Sequence, residues 1–398
     1  MTTVAHILTK LELGGAQQNT LFTVAHLDRA RFRPILIAGE PGLLDEEARS
    51  LAGVEFHQVP SLVRQINPLL DLRALLALTR LLRRLRPTIV HTHSSKAGIL
   101  GRWAAKLAGV PIIVHTIHGF GFPSSRHPLL RRTLIAAERA AARVTTRFFS
   151  VSEANRRQGI ELGLFPPDRC TVVRSGVDLE AIRRTRVDRD GKRRALGLDP
   201  TRPVVGMVAP FKPQKAPRDF VRVAAAVHRA RPDAQFILVG DGELRGVVEG
   251  EIERLGLSGV VRLLGWRRDV PELMRCLDLF VLTSLWEGLP RVYLEALVSG
   301  VPVVGTRVDG AEEVIRDGVN GYLVRPGDTD GIAGSVLRLL ADPARAGLMG
   351  LQGQSLSPEF DIREMVRRQE QEYGRLLDEA QERNRLRVAP GYGTPAAR

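Results

Sequence analysis

Residues 279–298 read LFVLTSLWEGLPRVYLEALV. The apolar run Leu279–Leu282 has the length of a strand. After Ser284-Leu285-Trp286-Glu287 comes Gly288, which permits a tight turn or a close backbone approach. Pro290 then suits the first turn of a helix, where its missing N–H costs nothing, and a helical pattern runs on to Val298. Strand, turn and helix in this order form the repeating unit of an α/β protein with a parallel sheet.

The same alternation extends in both directions. In the first half, strand-like runs are Val4–Leu8, Pro34–Ile37, Thr88–His91, Ile112–Thr116 and Arg147–Val151, with helical patterns at Gln17–Leu27, Leu69–Leu85, Gly98–Leu107 and Pro128–Arg143. The second half starts again with Val204–Val208, Phe236–Val239, Val260–Leu263, Leu279–Leu282, Val301–Gly305 and Gly321–Val324, separated by helices such as Asp219–Ala230, Pro290–Val298 and Asp330–Leu340. The expected fold is two Rossmann-like, doubly wound parallel-sheet domains facing across a cleft. The expected divisions are residues 1–175, a linker with a surface helix at 176–200, a second domain at 201–361, a charged helix at 362–387 and a frayed tail at 388–398. A length of 398 residues suits two domains.

Ligands of such sheets sit outside the carboxyl ends of the strands, so the residues just after strands are the ones to search. Glu287 precedes the helix of the opening stretch and Glu295 lies inside it, eight positions later. Eight residues is a little over two helical turns, so both carboxylates can face one ligand across the helix start. The free amides near Leu289–Val292 form a ready phosphate site. Taken alone, Glu295 reads as a solvated helix residue and Glu287 as a partner of the helix dipole.

Taken together, the pattern resembles the donor-site motif of retaining glycosyltransferase family 4, whose members have the two-domain GT-B fold. Other pieces match as well. Gly14-Gly15-Ala16 follows the first strand, as the family's glycine loop does, and Ser175-Gly176-Val177-Asp178 resembles its inter-domain "NGVD". Gly240-Asp241-Gly242 follows a strand, and Gly265 with Asp269 fits "G…D" before a helix. The resemblance implies transfer of a sugar from a nucleotide-diphosphate sugar, with UDP the expected nucleotide, to an acceptor hydroxyl with retention at the anomeric carbon. It implies no metal and no cofactor. Glu295 would bond the ribose, and Glu287 and His118 would contact the donor sugar. Gly15, Gly242, Gly288, Leu289 and Pro290 would line the donor site. The family usually offers an Arg and a Lys five residues apart to the diphosphate. Here Lys215 holds the Lys place, but the Arg place is Pro210, with Lys212 nearby as a substitute.

Other residues are open to two readings. His93-Ser94-Ser95-Lys96 runs from strand into helix, and with Gln17 it offers hydroxyls, an amide and a cation to an acceptor, or merely a helix cap. His91 and His93 fall on one face of a strand end, but no carboxylate or cysteine nearby completes a metal set. The first domain offers no evident carboxylate for a double displacement, which favours a front-face route in which the departing phosphate takes the proton.

Charge is divided unevenly. Residues 1–200 hold 31 Lys and Arg against 17 Asp and Glu, whereas residues 201–398 hold 27 of each. Arg73, Arg80 and Arg84 form one helical stripe and Arg132, Arg139 and Arg143 another. These read either as solvated faces of packed helices or as a surface for anionic lipid, useful for a lipid-linked acceptor. Nucleic acid fits less well, since aromatic residues are only 5% and do not interleave with the basic ones. Cys170 and Cys276 cannot make a disulfide framework, and no signal peptide or membrane-length apolar run is present, so the expected location is the cytoplasm, at the inner face of the membrane. The expected activity is surface-glycan or glycolipid synthesis. Its rivals are a sugar-nucleotide 2-epimerase of the same fold and a basic nucleic-acid- or lipid-binding protein.

Overall fold

The computed structural model describes residues 1–121, 128–355 and 358–388. Residues 389–398, nearly all of the expected tail, lie outside the described residues. Seven strands form a first parallel sheet: β1 (Thr2–Lys10), β2 (Phe32–Glu40), β3 (Glu55–Gln58), β4 (Ile89–Thr92), β5 (Ile112–Ile117), β6 (Arg147–Ser150) and β7 (Cys170–Val172). Their order is β3-β2-β1-β4-β5-β6-β7. Six more form the second sheet: β8 (Val204–Val208), β9 (Gln235–Val239), β10 (Val261–Gly265), β11 (Leu279–Leu282), β12 (Val303–Thr306) and β13 (Gly321–Val324), in the order β10-β9-β8-β11-β12-β13.

Strand order reverses between β1 and β4 in one sheet and between β8 and β11 in the other, which opens a crevice at the carboxyl ends there. The segments that carry the predicted chemistry follow these strands. The glycine loop leaves β1, His93 follows β4, the two lysines follow β8 and Glu287 follows β11. Both sheets are covered on both faces, so central strands such as Val4–Leu8 and Leu279–Leu282 are wholly buried.

Two expectations need correction. The charged helix, observed as Ile362–Val388, is not a separate appendage. Ile362, Met365, Val366, Tyr373 and Leu376 pack with Val4, Ile89, Val114 and Phe149, so the end of the chain returns to complete the core of the first domain. The charged segment before β8 forms helices at Leu179–Arg184 and Arg189–Ala195. It is not all surface. Arg193 is buried, with Asp278 at 2.7 Å and the carbonyl of Cys276 at 2.9 Å.

Candidate active site

The two domains meet backbone to backbone at Gly119 and Gly288. Gly119 adopts φ +110, and a Cβ there would stand 2.9 Å from the Gly288 amide nitrogen. A Cβ on Gly288 would stand 2.4 Å from the carbonyl oxygen of His118. Neither position has room for a side chain, so glycine at both lets the loops after β5 and β11 meet. Beside this contact lies a cleft of about 640 Å³, lined from one side by Glu12, Gly15, Gln17, Arg64 and His118 and from the other by Lys212, Lys215 and Glu287–Arg291. That volume suits a small ligand or cofactor.

Of the predicted donor residues, Gly15, Lys212, Lys215, Glu287, Gly288, Leu289, Pro290 and Glu295 all line this cleft, as do His118 and Gln17. Glu287 is buried and ion-paired with Lys215, while Ser284 Oγ donates to its carboxylate at 2.6 Å. Its backbone N–H donates to Asp309 at 2.9 Å. Burial raises the Asp309 carboxyl, against the pull of that amide, and the Glu287 charge adds to the rise. Lys212 pairs with Glu12, a bridge between the domains. Burial lowers the Lys212 ammonium even so. At Glu12 burial is the largest single influence and works against ionisation, but the Lys212 bond together with the charges of Lys212, Arg64 and Lys10 outweighs it, and the carboxyl falls below its ordinary value.

Arg291 opens the helix Arg291–Val298 and straps the two halves of the cleft together. Its guanidinium donates to Gln18 Oε1 at 2.6 Å and to the carbonyls of Gly176 at 3.0 Å and Gly15 at 3.3 Å. Glu295 lies 3.8 Å from the same guanidinium. Burial raises the Glu295 carboxyl above its ordinary value, with the Arg291 charge opposing.

Other predicted residues stand elsewhere. Gly242 lies outside the lining, which Gly240 reaches instead; its place is against the Phe211 carbonyl. His93, Ser94 and Lys96 do not line the cleft. Lys96 is held by Asp71 and by the carbonyl of Gln65. The Ser94 hydroxyl meets Thr9 Oγ1 at 3.0 Å and does not cap the following helix. His93 is buried beneath His118, 3.1 Å away. The sequence reading also found no first-domain carboxylate, yet Glu12 and Glu47 both line the cleft, Glu47 pairing with Arg268 at 3.0 Å. The possible metal pair His91 and His93 gains His6, their ligand atoms lying within 4.8 Å of one another. Each ring nitrogen of the three already has a hydrogen-bond partner.

Sequence reasoning missed Glu12, Ser284, Arg291 and Asp309. Three follow strands and so lay within the searched positions; Arg291 stood inside the quoted stretch itself.

Comparison with known proteins gives the class. Residues 13–181 match the model described as Glycosyltransferase Family 4, and residues 202–342 match that described as Glycosyl transferases group 1. The chain belongs to the glycosyltransferases, enzymes that move a sugar from a nucleotide-sugar donor to an acceptor. It is similar to the UDP-Gal:alpha-D-GlcNAc-diphosphoundecaprenol alpha-1,3-galactosyltransferase of Escherichia coli, with 35% identity over 85% of this chain and 88% of that one. It is 31% identical to the putative glycosyltransferase EpsF of Bacillus subtilis strain 168, over 76% of this chain and 78% of the relative. Among solved structures, Anabaena HepE in complex with UDP and glucose superposes with a TM-score of 0.80 at 22% identity, covering 94% of this chain and all of that one. WaaG, a glycosyltransferase involved in lipopolysaccharide biosynthesis, superposes at 0.73 with 17% identity, covering 91% and 98%. This chain shares its two-domain GT-B architecture with these two solved structures.

Proposed function

We propose that this enzyme is a retaining, metal-independent hexosyltransferase that takes a sugar from a UDP-sugar and places it on a hydroxyl of a lipid-linked glycan. The observation that carries this reading is the convergence of Glu287, Glu295, Lys212 and Lys215 on one inter-domain cleft. The E. coli relative's donor and lipid diphosphate acceptor support the substrate classes.

In this reading Glu295 binds the ribose, and the free amides at the start of the helix Arg291–Val298 hold the diphosphate. Charge develops on that diphosphate as the bond to the sugar breaks. Lys215, ion-paired with Glu287 just before the helix, supplies one cation, and Lys212 stands in for the Arg that Pro210 replaces. Both lysines rest on carboxylates that an incoming diphosphate would have to outcompete. Glu287 holds the sugar while Ser284 and Asp309 fix its position, and His118 bonds a sugar hydroxyl from the other wall. Glu12 and Glu47 are committed to cations, which supports the front-face route. The test is incubation with UDP-hexoses and a lipid-linked acceptor, with product configuration read by NMR and chelator present. An inverted product or loss of rate on chelation refutes the retaining or metal-free part. An epimer formed without acceptor would favour isomerisation instead. A glycosyl adduct trapped on Glu12 and found by mass spectrometry would point to a covalent nucleophile.

The acceptor side faces an anionic bilayer in this proposal. Leu69, Leu72 and Leu76 project from the helix Pro68–Leu85, with Leu69 74% exposed, and Ile66 stands just before them. Leu129, 65% exposed, and Leu130 do the same on the helix Pro128–Ala142. Both helices pack on the helix Ser95–Ala108, and Arg73, Arg80, Arg132 and Arg139 are exposed on the same two helices. Exposed leucines among arginines fit lipid acyl chains beneath anionic headgroups. Among the described residues no helix is long and apolar enough to cross a membrane.

A further inference from the structure

Four segments far apart in sequence place an unbroken line of hydrogen bonds behind the cleft. His118 Nε2 lies 3.1 Å from His93 Nδ1, and His93 Nε2 lies 3.0 Å from His6 Nδ1. His6 Nε2 lies 3.5 Å from the hydroxyl of Tyr373, which comes from the C-terminal helix. The same hydroxyl is 2.5 Å from His91 Nδ1, and His91 Nε2 is 2.6 Å from Thr116 Oγ1. His6, His91, His93 and Tyr373 are all essentially inaccessible to solvent. A metal ion on His6, His91 and His93 would take one nitrogen of each ring and so break the bonds which those nitrogens make.

A neutral imidazole has one N–H donor and one bare nitrogen, so a bond at one nitrogen dictates what the other can do. Burial holds these rings neutral, drawing His6 down to about 3 and His118 to about 4, with His91 and His93 also well below their ordinary value. Burial likewise raises the Tyr373 phenol, which stays protonated. The proton pattern follows from the tyrosine. A phenol is the stronger acid and an imidazole nitrogen the stronger base, so at 2.5 Å the Tyr373 O–H donates to His91 Nδ1. His91 then carries its proton on Nε2 and gives it to Thr116. The Tyr373 oxygen is left to accept from His6 Nε2–H. That leaves His6 Nδ1 bare, to accept from His93 Nε2–H, and His93 Nδ1 bare, to accept from His118 Nε2–H.

We infer that Tyr373, His6 and His93 are positioning residues that fix His118 as its Nε2–H tautomer and leave its Nδ1 as a lone-pair acceptor for a sugar hydroxyl. Among the described residues nothing pairs with that nitrogen. The catalytic consequence rests on the sugar contact proposed above for His118; the tautomer does not. A donor whose group at that position cannot donate a hydrogen bond, such as a deoxy sugar, gains nothing from it.

The test uses the full-length protein with ring-¹⁵N-labelled histidine, whose nitrogen shifts report the tautomer directly. The wild type should show His118 as Nε2–H. Tyr373→Phe, which removes only the hydroxyl, should turn His118 and His93 into tautomer mixtures. If Tyr373→Phe fails to fold, His6→Asn serves instead, since an amide can donate or accept and so releases His93 from its fixed polarity. In kinetics, kcat should fall about 10-fold, the lower end of what loss of a histidine-orienting partner costs. The donor KM should hold, and a His118→Ala background should abolish the effect. An unchanged His118 tautomer in both variants overturns the inference. A changed tautomer with unchanged kcat upholds it and refutes instead the sugar contact of His118.

Discussion

On one side of the cleft, Lys212, Lys215, Glu287, Arg291 and Glu295 come from one loop and one strand-to-helix turn, and most are already paired with opposite charge. On the other side, Gly15 and His118 face them, and the groups behind His118 are neutral: His93, His6 and a tyrosine some 250 residues downstream of it in the chain. The difference follows from what each wall has to hold. A diphosphate presents fixed negative charge, which paired cations and helix amides recognise at short range. A sugar presents neutral hydroxyls, and recognising them requires a defined donor or acceptor, which a buried hydrogen-bonded chain supplies.

The largest expected effect breaks the two domains apart by acid. His6, His91, His93, His115 and His118 all have values depressed by burial, whereas His228 is the sole histidine after residue 200. The unfolded chain takes up protons as pH falls below about 6.5, while in the folded domain burial holds these five rings neutral to lower pH, His118 to about 4 and His6 to about 3. Stability is therefore lost as pH falls through that window, by about 1.4 kcal/mol per imidazole for each pH unit. Each ring that burial depresses adds to this loss, set against the roughly 5–15 kcal/mol that holds a typical domain. Pulsed hydrogen exchange near pH 5 should find β1, β4, β5 and the helix Ile362–Val388 opening together while β8, β11 and β12 stay protected. Opening of β8 and β11 first would overturn the contrast.

The next effect falls on the ionic wall. Lys215→Met should lower kcat about 10²–10³-fold, the cost of removing one preorganised donor from a developing oxyanion. It also strands the buried Glu287, so Lys215→Met/Glu287→Gln should recover thermal stability without recovering turnover. A wild-type rate in Lys215→Met would mean the diphosphate is held elsewhere. Glu295→Gln should weaken UDP binding by about 1.5–3 kcal/mol in calorimetry, the range for a hydrogen bond to a charged group. An unchanged affinity removes Glu295 from the ribose.

The contrast also explains what could be read from the sequence. The ionic wall lies in stretches where strand, turn and helix succeed one another within 20 residues, so period and turn chemistry locate it. Runs such as Leu279–Leu282 and Val204–Val208 match the observed strands because buried parallel strands are continuously apolar. The edge strands β3 and β7 were missed: Glu55–Gln58 is mostly polar and Cys170–Val172 has three residues. His6 carries no local signal, since a polar residue inside a buried run means something only beside its partners on β4. Tyr373 was hidden in a helix whose charge suggested solvent, because the apolar stripe of Ile362, Val366, Tyr373 and Leu376 is one narrow face of it. Arg291 was legible as a helix start but not as a strap, because its partners Gly15, Gln18 and Gly176 lie at least 115 positions away.

The smallest effect concerns the surface beside the neutral wall. The first domain's excess charge lies partly on helices whose leucines face outward, and each arginine near an anionic bilayer is worth about 1 kcal/mol. Single changes such as Arg73→Ala or Arg80→Ala should therefore weaken binding to vesicles of anionic lipid about fivefold each, and Leu69→Ser, which adds no charge, should act at low and high salt alike because the contribution it removes is apolar. Sedimentation with zwitterionic vesicles should retain only the leucine-dependent part. The two contributions separate because salt screens charge and leaves apolar burial intact. Binding that ignores Leu69 but disappears with salt would make this face an electrostatic surface alone, and binding to neither vesicle would leave the arginines as the solvated faces of packed helices.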